Sequence, residues 1–89
     1  NMLTENPNLE RGKLLFEQNR YEQALTAFQL ALADDPGASE PLLYQAYALM
    51  QLDRHTEALD LADQLLHRSP DDPYVLHLKA RILSNLKRG

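Results

Sequence analysis

The residues able to do chemistry are few and badly spaced for it. His55, His67 and His77 are the three histidines, twelve and ten residues apart. A helical metal site needs ligands three or four residues apart, so no metal is expected. There is no cysteine, which removes thiolate ligands, disulfides and a sulfur nucleophile together. Ser39 and Ser69 stand beside proline-containing turns and read as cap and turn residues, without a Ser–His–Asp arrangement. Asp34-Asp35 and Asp71-Asp72 are adjacent carboxylates next to prolines. Local capping of turns accounts for them better than paired acid and base catalysis. With only Gly12, Gly37 and Gly89, no phosphate-cradling loop can form. The expectation is a protein with no catalytic residues, metal or cofactor, and not an enzyme.

Charge narrows the partners. Nine Lys and Arg against thirteen Asp and Glu leave a net charge of −4, and no acidic residue follows Asp72. An acidic body is poorly suited to a phosphate backbone, so no nucleic acid is expected. Lys79, Arg81, Lys87 and Arg88 form a basic end that reads as cations placed near a helix C-terminus. No apolar run approaches the roughly 20 residues that cross a bilayer, so membrane insertion is not expected. Cytoplasmic location is the default expectation, with the periplasm, or a longer exported or membrane-anchored protein, left open.

The elements that must position these side chains repeat. Displaced by 34 residues, the chain sets Pro7 on Pro41, Gly12 on Ala46, Leu15 on Leu49, Ala24 on Ala58, Leu25 on Leu59, Leu32 on Leu66 and Pro36 on Pro70. A second displacement sets Leu42 on Leu76, Ala46 on Ala80 and Leu49 on Leu83. Asn6-Pro7, Ser39-Glu40-Pro41 and Asp72-Pro73 read as helix starts, a capping side chain followed by proline. Asn19-Arg20-Tyr21 and Asp53-Arg54-His55 break the apolar three-and-four spacing where the chain reverses, which puts His55 at the place of Tyr21. Pro36 and Pro70 end the second helices. These signals predict helices near 6–18, 21–34, 39–52, 55–68 and 72–87, with no strands.

This pattern of a small residue, an aromatic or large apolar one, then Ala, Phe and Pro resembles the tetratricopeptide repeat. Gly12, Leu15, Ala24, Phe28 and Pro36 carry it in one unit, and Ala46, Leu49, Ala58, Ala62 and Pro70 in the next. The large aromatic expected early in each unit is replaced by Asn8, Leu42 and Leu76. The resemblance implies about two and a half repeats in an all-α, right-handed α-solenoid of antiparallel helix pairs, five helices in one domain spanning 1–89. The units are 5–38, 39–72 and a terminal helix of a third, 73–89. It also implies a non-catalytic scaffold or adaptor that binds a segment of a partner protein. The family's clamp for the C-terminal carboxylate of chaperones would fall on Leu9, Lys13, Tyr44, Tyr74 and Leu78. None has the expected type, so that function is not expected here.

Stacked helix pairs curve, with the first helix of each pair on the concave side. Helical projection places Leu9, Lys13, Phe16, Leu43, Tyr44, Tyr47, Met50, Gln51, Tyr74, Leu78 and Arg81 on or near it. Of these, Lys13, Tyr44, Tyr47, Gln51, Tyr74, Leu78 and Arg81 are the expected partner contacts. Three of the four tyrosines gather there, as peptide recognition would use them, although rings that fill space between repeats are the alternative. The terminal helix lacks a partner helix, so Leu76, Ala80, Leu83 and Leu86 should be partly exposed, while Val75 and Ile82 pack inward. Leu76, Leu83 and Leu86 are therefore candidates for self-association, and a homo-oligomer is one possible use of this face. A longer array or a tolerated open end would also account for it.

Overall fold

A computed structural model describes residues 6–88, and among them there are five helices and no strand. They are α1 (Pro7–Glu17), α2 (Tyr21–Asp34), α3 (Glu40–Gln51), α4 (His55–Arg68) and α5 (Pro73–Arg88). Every helix lies within one residue of its expected bounds. Each packs on the next along the chain, and α1 also touches α3. The described chain extends 41 × 29 × 17 Å. The short dimension admits only two helix layers about 10 Å apart, with the first helices α1, α3 and α5 in one and α2 and α4 in the other.

The punctuation is local and repeats. Asn6 Oδ1 accepts from the backbone N–H groups of Asn8 (3.2 Å) and Leu9 (3.4 Å), capping α1. Its Nδ2 donates to the Ala31 carbonyl at 3.0 Å, tying the start of α1 to the last turn of α2. Asp72 Oδ1 accepts from Tyr74 N at 3.0 Å. Ser39 departs from expectation: its side chain does not cap α3, and its backbone is already helical at φ −86°, ψ −29°. Its hydroxyl lies 3.4 Å from Arg68 Nη1 instead. Arg68 also donates to the carbonyls of Pro36 (3.2 Å), Gly37 (3.1 Å) and Ala38 (3.1 Å), fastening the α2–α3 loop from the end of α4.

Both helix reversals use the same turn. Asn19 and Asp53 take left-handed backbone conformations, φ 62° and 58°. Asn19 N donates to Phe16 O and Arg20 N to Leu15 O, and Asp53 N to Met50 O and Arg54 N to Leu49 O. This is the Schellman pattern, which satisfies the last carbonyls of α1 and α3. The residues before Pro36 and Pro70 are also alike, with Asp35 at φ −144° and Ser69 at φ −140°.

Small residues govern the packing. Ala24, Ala31, Ala46, Ala48, Ala58 and Ala62 are fully buried, so the helices approach closely around Leu25, Phe28, Leu49 and Ile82. A Cβ on Gly12 would collide with the Phe28 ring, whose Cδ1 would lie 2.5 Å from it. Gln45 is the buried polar exception, and its Nε2 has no hydrogen-bond partner.

Candidate functional site

The face shared by α1, α3 and α5 carries a continuous aromatic ladder. Tyr44 and Tyr47 lie one turn apart on α3, so their rings fall on the same side. The Tyr44 ring stacks on the buried Phe28 of α2 at 5.3 Å and 29°. Tyr47 meets Tyr44 edge-on at 5.9 Å and 77°. The Tyr47 hydroxyl donates to the Tyr74 hydroxyl, joining α3 to α5. Tyr74 itself is 59% exposed, the most open large hydrophobic side chain among the described residues. At the other end, Lys13 Nζ sits 5.1 Å from the centre of the Tyr44 ring, a cation–π contact. It also pairs with Glu10 (3.5 Å) and Glu40 (3.7 Å).

Two groups on the ladder have displaced acidities. Burial above all, then the hydrogen bond to Tyr74, pushes the Tyr47 phenol well above its ordinary value. The Arg81 charge pulls the other way. For Lys13, burial works against the ammonium, but Tyr44, Glu10 and Glu40 outweigh it and hold the group above its usual range. Both shifts keep the phenol neutral and the ammonium charged across neutral pH.

The structure divides the projected residues in two. Lys13, Tyr44, Tyr47 and Tyr74 come together, with Gln51 and Arg81 exposed beyond them. Leu78 does not join them: at 2% exposure it lies in the core cluster with Ala46, Leu49 and Ile82, and is corrected here from surface to core. Leu9 (7%) and Met50 (8%) are buried in the same cluster. Phe16 turns toward the first reversal and packs edge-on against Tyr21 at 5.2 Å. Helical projection marks the side of a helix correctly, but it does not show how deeply a neighbouring helix covers that side.

Past Tyr47 the face opens into a hollow of about 570 Å³, lined by Met50, Gln51, Asp53, His55, Arg81, Asn85 and Arg88. His55, Asn85 and Arg88 carried no site role in the sequence reading. Arg81, Asn85 and Arg88, spaced by four and three residues on one helical face, are the signal that could have marked them. On the outer face of α5, Leu76, Leu83 and Leu86 are 48%, 41% and 36% exposed. Among the described residues no three His, Asp or Glu side chains gather as a metal site requires. Among the described residues no helix is long and apolar enough to cross a membrane.

Neither the curated proteins nor the solved structures offer a match to this chain. A family model does: that of the tetratricopeptide repeat matches residues 15–82, from the third turn of α1 to Ile82 in α5. That span takes in both reversals, the buried alanines from Ala24 to Ala62 and the aromatic ladder, and the chain belongs to the tetratricopeptide repeat family.

Proposed function

We propose that this chain is a scaffold or adaptor module that holds a segment of a partner protein on its concave face, against Lys13, Tyr44, Tyr47, Gln51, Tyr74 and Arg81. Tetratricopeptide repeats generally mediate protein–protein interaction and are generally non-catalytic. The observation carrying the finer reading is Tyr74, a ring 59% exposed yet tied by its hydroxyl to Tyr47. A ring held in place in this way offers contact area at little cost in side-chain entropy. Tyrosine rings flanked by Lys13, Gln51 and Arg81 suit an extended or helical segment that lays hydrophobic side chains on the rings.

Tyr74→Ala is the clean test, because truncating an exposed ring opens no core. It should weaken binding of a partner segment by about tenfold or more, the loss expected of a central aromatic contact. Helical content should stay unchanged by circular dichroism. Unaltered affinity in the folded variant would remove this face from the binding site. Tyr44→Ala is a poorer probe, since it strips a stacked neighbour from Phe28.

A second reading is self-association through α5. Leu76 and Leu83 occupy the positions of Leu42 (2% exposed) and Leu49 (4%), which the preceding unit buries. If α5 mediates assembly, sedimentation should give a concentration-dependent dimer that Leu83→Glu dissolves. A monomer at all concentrations would exclude it.

A further inference from the structure

We infer that the hollow between α5 and the α3–α4 reversal is a carboxylate subsite, which seats an aspartate or glutamate side chain of the partner segment on Arg81, Asn85 and Arg88. The inference rests on the concave-face reading and extends it from apolar contact to a charge requirement. Among the described residues, three of the chain's nine cations are paired with carboxylates. Lys13 pairs with Glu10 and Glu40, Arg54 with Glu22 and Glu57, and Lys79 with Asp63. Arg81 and Arg88 have no carboxylate partner among the described residues, although both line one hollow of about 570 Å³.

The helix dipole accounts for Lys87 and Arg88, which lie in the last turn of α5. Arg81 stands about two turns earlier, beyond the reach of that effect, so its place in the hollow needs another reason. Asn85 lies between the two arginines along α5 and brings an amide donor to the lining, and Gln51 brings a second from the end of α3. The hollow has one carboxylate of its own, Asp53, which is 93% exposed and 3.4 Å from His55 Nε2. The lining thus sets two arginines against one exposed carboxylate. Residues 1–78 carry thirteen acidic side chains against five basic ones, which disfavours a polyanion. At physiological salt, repulsion fades beyond roughly 8 Å, so a single carboxylate at the arginines feels mainly the arginines. Two guanidiniums and an amide match its lone pairs.

Geometry sets the spacing. From Tyr74 to Arg81–Asn85 the helix rises about 10–16 Å, which an extended segment spans in about three to five residues. The partner segment therefore carries its acidic residue about three to five positions from the apolar residue that rests on the tyrosines.

An array of random dodecapeptides, N-acetylated and C-amidated, tests this with the whole chain as the probe. Wild-type protein should select peptides with Asp or Glu at that distance from an apolar residue. Glu→Gln in a selected peptide should weaken binding about three- to tenfold, less at high salt. The Arg81→Gln/Arg88→Gln variant alters only exposed side chains. It should keep its helical content by circular dichroism and lose the acidic preference. The inference is overturned if wild type shows no acidic preference, or if the variant retains it. It is equally overturned if the preference arises only on an array with free C-terminal carboxylates. In each of those cases the concave-face reading survives provided Tyr74→Ala still abolishes the apolar selection. Peptides selected equally by wild type and Tyr74→Ala, or no selection by either, count against both.

Discussion

At the scale of single residues, the first and second units solve one packing problem with different volumes. Phe28 and Gly12 stand where the next unit has Ala62 and Ala46. The large ring in α2 is fully buried because the facing position in α1 has no side chain. Gly12→Ala should therefore destabilise the fold by about 1–3 kcal/mol through overpacking, more than the roughly 1 kcal/mol gained in helix propensity. Adding Phe28→Leu should recover part of that loss, and urea unfolding of the single and double variants measures the coupling. The sequence displayed both residues but not that they meet, since the repeat pattern only requires Gly12 to be small.

Tyr47 gives a second residue-scale prediction, with its sign set by proton linkage. Burial and the bond to Tyr74 raise its pKa in the folded state. In the unfolded chain the phenol loses its proton near pH 10. Above that pH the folded state holds a proton the unfolded state has released, so stability is full below about pH 10 and falls as pH rises further. Tyr47→Phe should flatten that alkaline decline, measured as urea midpoints between about pH 8 and 11. An unchanged slope would mean that Tyr47 ionises as freely in the fold as outside it.

At the scale of elements, the boundaries were legible because their signals are local. Proline in the first turn, a capping Asn or Asp and proline after the last turn each act within a few residues of the helix end they mark. Ser39 was misread for a related reason: it has the type of a capping residue, but the α2–α3 loop delivers it already helical. What holds that loop is Arg68, 29 to 32 residues further along, a contact no local pattern reveals. Arg68→Ala should cost about 1 kcal/mol, the modest net value of exposed hydrogen bonds. It should also speed amide exchange around Pro36–Ser39 before the rest of the fold responds. Arg68→Lys should restore little of this, because an ammonium lacks the guanidinium fork. Uniform acceleration across all five helices would instead make Arg68 a determinant of global stability.

For the whole molecule, each helix rests mainly on its neighbours in sequence, so a repeated local pattern is enough to specify the stack. That is why the fold could be read from 34-residue spacing and why the site could be read only in part. The side of each first helix follows from periodicity, but its depth follows from the helices that cover it. Leu78 was placed on the right side and the wrong level, because the same face of α5 that presents Tyr74 and Arg81 also packs Leu78 into the core. Tyr74 and the arginines of α5 stay open on the first-helix layer, and Leu76, Leu83 and Leu86 on the outer face of α5.

The most direct measurement is a two-dimensional NMR titration of the chain with peptides selected against it. Shifts should cluster on Lys13, Tyr44, Tyr47, Gln51, Tyr74 and Arg81, with Leu76, Leu83 and Leu86 undisturbed. Shifts confined to those three leucines would contradict this, and would move recognition from the concave face to the open side of α5.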